Sequence, residues 1–266
     1  MDNSYKELII TEHSHFTQFS QYLNADALWR ADAYLIVGET NAVLYDTLVF
    51  GCDLYKEVRR RTQGKPLTVV ISHGHYDHAG EALRDFLDAG VAAYMSYADK
   101  TALYRMYGAG YFLDDFLPLQ DNMVFDLGGR SLESMPVSGH SPGCTVLIDS
   151  MTENIYTADA IGAGECNMSN GYEETSLERT LREAKALLKR LEPMKDPHIW
   201  TGHSNMVEGG FRDRAYLEEF VSLLDDIVQG RVEGERYYRE GEALYTTRLC
   251  ARNGVQLLYN DHRIWD

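Results

Sequence analysis

The stretch Leu67-Thr68-Val69-Val70-Ile71-Ser72-His73-Gly74-His75-Tyr76-Asp77-His78 joins an apolar run directly to a dense polar cluster. The run from Leu67 to Ile71 is short and rich in β-branched residues, which predicts a buried strand. Imidazole and carboxylate groups suit zinc or iron, and active sites of α/β sheets tend to lie where strands end. The stretch therefore predicts a metal site at a strand end rather than a solvated polar loop.

The segments on either side of this stretch predict a βαβ-like unit. Gly38-Glu39-Thr40-Asn41 lies between two short apolar runs and is typical of a turn in an antiparallel hairpin. Gly64 and Pro66 end a predicted helix just before the buried strand. The predicted elements of this half are strands 33–37, 42–46, 67–71 and 91–95 and helices 54–61, 79–89 and 97–108.

In the second half, short strands with intervening turn residues extend from residue 122 to 156 and predict an antiparallel sheet. Thr175-Ser176-Leu177-Glu178 fits a capping box, and leucines at helical spacing continue the helix to Leu191. A second amphipathic helix is predicted over 211–228, followed by short strands at 244–246 and 255–259. No linker-like segment divides the chain, which favours one compact unit.

Three later residues stand just past predicted strands or in a turn between them. His140 lies in the turn Val137-Ser138-Gly139-His140-Ser141-Pro142-Gly143, Asp159 closes a strand over 154–158, and His203 follows a strand over 198–202. Alone, each is more often a hydrogen-bonded turn residue. Their order and their glycine-rich surroundings favour a role in the same site as His73.

Composition excludes several classes of function. The chain has 266 residues and a formal net charge of −16, which disfavours binding to nucleic acid or to an anionic membrane surface. No apolar run approaches the ~20 residues of a membrane span, and the N-terminus lacks a secretory pattern. We therefore expect a cytoplasmic protein. Its four cysteines are widely spaced, which predicts free thiols.

The ordered motifs resemble those of the metallo-β-lactamase superfamily. The resemblance rests on HxHxDH at His73 to His78, on Gly139-His140-Ser141-Pro142-Gly143, on Asp159 and on Gly202-His203. It implies an α+β fold, a four-layer αββα sandwich of two mixed β-sheets flanked by helices. We expect a single domain over residues 1–266, with the motifs within 33–203 and with a helix and small strands in 204–266 completing the fold.

The resemblance also implies a set of metal ligands. Two divalent ions would be bound, zinc foremost, with iron and manganese also suited to these ligand types. Asp46 would support the site from behind, and Asp77 and His203 would also act in catalysis. The first metal would be held by His73, His75 and His140, the second by Asp77, His78 and His203, with Asp159 bridging both.

The implied activity is hydrolysis of a small-molecule ester, thioester or lactone by a metal-bridging hydroxide, as in the glyoxalase II and lactonase-like group. Antibiotic-hydrolysing members lack the bridging aspartate or alter HxHxDH, so a true β-lactamase is disfavoured. The alternatives are an iron-dependent redox enzyme resembling persulfide dioxygenases and a non-catalytic ligand-binding member. A homodimer is compatible with the sequence. The aromatic segment 94–116 is interpreted first as core and second as a lid over the pocket.

Overall fold

The computed structural model describes residues 4–26, 28–107, 116–163, 167–169, 175–237 and 247–266. The strands are β1 (Ile9–Glu12), β2 (Thr17–Tyr22), β3 (Arg30–Val37), β4 (Ala42–Tyr45), β5 (Leu67–Ile71), β6 (Ala92–Met95), β7 (Phe116–Pro118), β8 (Val124–Asp126), β9 (Ser131–Pro136), β10 (Thr145–Asp149), β11 (Asn154–Ala158), β12 (Asn167–Ser169), β13 (His198–Thr201), β14 (Glu235–Arg236), β15 (Thr247–Arg252) and β16 (Val255–Asn260). The α-helices are α1 (Leu54–Thr62), α2 (Leu83–Asp88), α3 (Lys100–Tyr107), α4 (Leu177–Arg190) and α5 (Arg214–Val228).

Two large sheets face each other, and both are mixed. The first has the order β1-β2-β3-β4-β5-β6-β7, antiparallel up to β4 and parallel from β4 onward. The second has the order β13-β11-β10-β9-β8, in which only β11 and β13 run parallel. The predicted hairpin of β3 and β4 and the predicted strand β5 therefore lie in the first sheet.

The strand period of two distributes apolar side chains to both faces of the first sheet. On β3, Leu35 packs towards α1 and α2, whereas Tyr34 and Ile36 pack against the second sheet. Helices α4 and α5 cover the outer face of the second sheet with their own apolar cluster. The layers therefore run helices, sheet, sheet, helices, which confirms the predicted α+β, four-layer αββα sandwich.

A third, smaller sheet has the order β12-β16-β15-β14, and its strand β16 contacts α5. Leu257 and Tyr259 of β16 share a buried apolar cluster with Leu217 and Phe220 of α5. The predicted strand at 255–259 corresponds to β16, whereas the one predicted at 244–246 lies outside the described residues. The sequence did not predict that these strands form a separate sheet, because β12 pairs with a strand far away in the chain.

The helix starts predicted at Ala79 and Phe211 are wrong, in each case because backbone groups at the predicted start bond to another segment of the chain. The helix predicted from Ala79 begins at Leu83, since the amides of Gly80 and Glu81 donate to the carbonyls of Leu48 and Val49 at 3.0 and 2.8 Å.

Helix α4 begins at Leu177, the first of the predicted helical leucines. Its N-cap is Ser176, one residue after the Thr175 of the predicted capping box, and Ser176 Oγ accepts from the amide of Arg179 at 3.0 Å. Helix α5 begins at Arg214 because Arg212 pairs through its backbone with Ile199. Within the described ranges, no helix combines the length and the apolar character that crossing a bilayer requires.

Candidate metal centre

Strand ends from both large sheets meet at one edge of the sandwich and bring the predicted residues together. Ser72 and His73 follow β5, which lies parallel to β4, and Asp46 follows β4. Asp159 follows β11, and Gly202 and His203 follow the parallel strand β13. Carboxyl ends of parallel neighbours share an edge of a sheet, so residues that are distant in sequence converge there.

Three histidines form the first cluster, namely His73, His75 and His140. His140 Nε2 lies 2.9 Å from His75 Nδ1, and the ring centre of His73 lies 4.6 Å from that of His75 and 4.9 Å from that of His140. One nitrogen from each ring lies within 4.8 Å of the other two. His73 is fully buried, whereas His75 and His140 are partly exposed, so the cluster opens to solvent on their side.

A second cluster adjoins the first and contains four buried residues, namely Asp77, His78, Asp159 and His203. The Nε2 atoms of His78 and His203 lie 3.4 and 3.3 Å from oxygens of Asp159. His203 Nε2 also lies 3.6 Å from Asp77 Oδ2. Asp159 Oδ2 lies 3.5 Å from His140 Nε2, so one carboxylate faces both clusters.

Buried polar atoms at this edge lack hydrogen-bond partners. His73 Nε2, His78 Nε2 and Asp159 Oδ1 have none in the part of the chain that the structure describes. Buried polar atoms are nearly always hydrogen-bonded, and leaving one unpaired costs about 1–3 kcal/mol. Imidazole nitrogens and a carboxylate oxygen that converge without partners fit a divalent cation. The cluster therefore suggests divalent metal binding.

Hydrogen bonds behind the clusters fix the orientation of the imidazoles. Asp46 Oδ2 lies 2.8 Å from His78 Nδ1, and Asp46 also accepts from the amide and the hydroxyl of Ser72 at 2.7 and 2.9 Å. Ser72 Oγ lies 2.9 Å from His73 Nδ1, and the carbonyl of Arg30 lies 2.6 Å from His203 Nδ1. Each contact leaves Nε2 facing the cluster, which is the usual arrangement behind metal-binding histidines.

The backbone around Asp159 is irregular in a way that directs its side chain. The pairing of β11 with β13 shifts register between Tyr156 and Ala158, and Ala158 has a φ of +45°. Bulges of this kind change the direction of a side chain, and a positive φ is costly for a residue with a Cβ atom. The strained residue Ala158 directly precedes Asp159, whose carboxylate lies between the two clusters.

The two clusters differ in the proton affinity of their histidines. Burial lowers the pKa of His140 to about 4, and burial together with neighbouring His78 holds the pKa of His73 well below its usual range. Burial also opposes charge on His203, but the carboxylate of Asp159 prevails and raises the pKa of His203 to about 9. The same balance raises the pKa of His78 well above its usual range.

Other predicted features lie away from the clusters or are only partly described. Tyr94 packs against Phe125 with ring centres 5.6 Å apart, in the core between the sheets, whereas Tyr97 is about half exposed. Residues 108–115 of the aromatic segment, with Tyr111 and Phe112, lie outside the described residues, so the lid interpretation stays a prediction. The three described cysteines, Cys52, Cys144 and Cys250, are free.

Two buried aspartates beside the clusters were missed. Asp32 accepts from the amide of Ser204 at 2.6 Å, next to His203. Asp99 contacts both loops that carry the first three histidines. A signal for Asp99 existed, because it follows β6, the parallel neighbour of β5. The rule that placed His73 at this edge therefore places Asp99 there too.

The fold and this arrangement of histidines and aspartates define the class of protein. A family model described as the metallo-beta-lactamase superfamily matches residues 27–203. The match covers more than half of the chain, which therefore belongs to that superfamily. We therefore describe it as a member of a metallo-hydrolase superfamily with a candidate metal site.

Particular relatives are distant in sequence. The probable metallo-hydrolase YqgX of Bacillus subtilis (strain 168) is 21% identical over 160 residues, which cover 56% of this chain and 75% of that protein. A metallo-beta-lactamase from Pontibacter korlensis has a TM-score of 0.63 at 19% identity, covering 83% of this chain and 100% of its own. The DIM-1 metallo-beta-lactamase gives 0.63 at 18% identity, covering 83% and 98%. At such identities the structural likeness concerns the fold alone.

Proposed function

We propose that this chain is a dinuclear metal-dependent hydrolase of a small-molecule ester, thioester or lactone. The observation that carries the proposal is the position of Asp159, whose carboxylate lies between a cluster of three histidines and a cluster with two further histidines and Asp77. A carboxylate in this position can ligate two cations at once. We further propose that the ligands are His73, His75 and His140 at the first ion, Asp77, His78 and His203 at the second, and Asp159 at both.

Two bound divalent ions would activate a water molecule and polarise the carbonyl oxygen of the substrate. The chain itself orients the ligands: Asp46 holds His78, and the carbonyl of Arg30 holds His203. The oxygen of water bonds to the acyl carbon, the bond to the departing alcohol or thiol breaks, and the departing group takes up a proton. Asp77, with Oδ2 3.6 Å from His203 Nε2, is placed to hold that proton, so we assign catalytic roles to Asp77 and His203.

We also infer that residues 1–266 form a single domain. The support comes from the buried residues of α5 and β16, which pack in the same apolar cluster as Val146 and Ile148 of β10 in the second sheet. A separate C-terminal domain would have a core of its own.

The proposal is tested by loading protein purified without metal with zinc, manganese or iron(II), and assaying each form. The substrate panel contains thioesters, lactones, simple esters and a β-lactam, with a persulfide plus oxygen as the redox arm. We expect two metal equivalents per chain and turnover of at least one carbonyl substrate. Oxygen consumption with the persulfide at one iron per chain, without hydrolysis, would instead favour the redox alternative.

Proton release on metal binding is expected to differ between the two clusters. At pH 7 a pKa of about 4 leaves His140 neutral, whereas a pKa of about 9 leaves His203 protonated. A metal binds only neutral imidazole, so binding at the second cluster must displace protons from its histidines. At the first cluster His73 and His140 are already neutral and have no such protons to release. Raising the pH from 6 to 9 should therefore strengthen the second binding step more than the first.

Calorimetric titration with zinc in two buffers of different ionisation enthalpy measures this proton release for each step. We expect the second equivalent to release more protons than the first at pH 7, and acidification to remove the second ion before the first. Equal proton release in both steps would contradict the assignment of the two clusters.

A further inference from the structure

One buried carboxylate beside the site has no role in the proposed reaction. Asp99 ends a short 3₁₀ turn, Tyr97–Asp99, between β6 and α3, and its side chain is fully buried. No guanidinium or ammonium group among its described contacts balances its charge. A buried carboxylate is costly unless it is hydrogen-bonded, so its partners indicate what it does.

The partners of Asp99 come from both loops that carry the first histidine cluster. The amide of Gly74, between His73 and His75, donates to Asp99 Oδ2 at 2.8 Å. The hydroxyl of Ser141, next to His140, donates to the same oxygen at 2.7 Å, and the amide of Gly143 donates to Oδ1 at 2.6 Å. One side chain therefore joins the loop of two of the histidines to the loop of the third.

Close packing around Asp99 agrees with this role. A Cβ atom at Gly143 would lie 2.8 Å from Asp99 Cγ, and one at Gly74 would lie 3.0 Å from the carbonyl oxygen of Asp99. Both loops thus approach Asp99 more closely than a residue with a side chain allows. The backbone bond from Thr145 to Ser72 also joins the two chain segments, but it lies outside the His73–His75 segment and beyond Gly143.

We infer that Asp99 is a positioning residue that holds His73, His75 and His140 in their mutual arrangement before a metal arrives. The inference rests on the proposed metal-binding function of those histidines. All three partners of Asp99 are donors, so the position requires an acceptor with two oxygens. Asparagine has the same shape, but its amide group would present N–H to one of these donors.

The test compares Asp99→Asn with the wild type and with Asp149→Asn. Asp149 serves as the control because it is also a fully buried aspartate that accepts from two backbone amides, those of Met151 and Thr152. Unlike Asp99 it also pairs with Arg130, and it lies at the end of β10 away from both loops. The first measurement is amide hydrogen exchange at Gly74 and Gly143 in metal-free protein. The second is titration of metal-free protein with cobalt(II), followed by its visible absorption.

We expect Asp99→Asn to exchange the amides of Gly74 and Gly143 faster and to bind the first cobalt equivalent about 10- to 100-fold more weakly, the range typical of partners behind metal ligands. Its cobalt spectrum should also differ from that of the wild type. Asp149→Asn should match the wild type in exchange at these glycines and in cobalt binding, even if it is less stable to heat.

If Asp99→Asn binds cobalt with the affinity and the spectrum of the wild type, the inference is overturned while the proposed function stands. Wild-type protein that binds no cobalt would overturn the proposed function, and this inference with it. If Asp99→Asn fails to fold, Ser141→Ala removes one of the three donors without touching a proposed ligand. That variant is then expected to bind the first equivalent several-fold more weakly, and unchanged binding would overturn the inference.

Discussion

Gly202→Ala is expected to lower hydrolysis by about 100-fold or more and to weaken metal binding, because misplacing reacting groups by about 1 Å can cost that much. A Cβ atom at this position would lie 2.3 Å from Asp159 Oδ1 and 2.6 Å from His78 Cε1. Both groups belong to the second cluster, and they would have to move to relieve the contact. Strand β13 would stay in place, because the substitution leaves its backbone hydrogen bonds intact. Residue 202 would still donate its amide to the carbonyl of Ala158 and accept from the amide of Asp32.

The measurement is kcat/KM on whichever carbonyl substrate the panel identifies, together with metal content after dialysis. Gly51→Ala serves as the control, because the nearest atom to its Cβ would be Glu81 Oε2 at 3.9 Å and no positive φ strains it. We expect Gly51→Ala to match the wild type in both assays. Full metal content and full activity in Gly202→Ala would show that the second cluster tolerates displacement and would contradict its assigned role.

The site was predictable from the sequence because its residues stand at strand ends, in short motifs whose spacing determines where side chains lie. His73, His75, Asp77 and His78 lie within one loop, so the strand before them was enough to place them. His140, Asp159 and His203 were found only through their order and the resemblance. The structure brings all seven together at one edge, while their role as ligands stays a proposal.

Features that depend on pairing between distant segments could not be predicted in the same way. β1 and β2 extend the first sheet, yet β2 is buried along most of its length while carrying polar residues such as Gln18 and Gln21. These side chains are satisfied by partners far along the chain, as when Gln18 Nε2 donates to Ser204 Oγ at 2.6 Å. An alternating apolar pattern, the usual sign of a strand, is therefore absent.

Asp159→Asn is expected to remove one of the two metal equivalents and to lower hydrolysis by about 1000-fold, or about 4 kcal/mol, in keeping with the several kcal/mol that a metal's charge stabilisation supplies. The amide nitrogen is not a metal ligand, so the residue could no longer face both ions. The three histidines of the first cluster remain, which is why one equivalent should stay bound. Asp149→Asn, a buried aspartate away from the site, is expected to keep two equivalents.

The same substitution has an expected effect on metal-free protein that does not depend on activity. The Asp159 carboxylate, 3.3 Å from His203 Nε2, raises the pKa of His203 to about 9. Without that charge, burial and the neighbouring His78 are opposed by Asp77 alone, so the pKa of His203 should fall and a larger share of the imidazole should be neutral at pH 8. Titration of the histidine ring signals by NMR measures this shift. An unchanged pKa of His203 in Asp159→Asn would mean that another group stabilises its charge, and two equivalents bound with full activity would show that Asp159 does not bridge the ions.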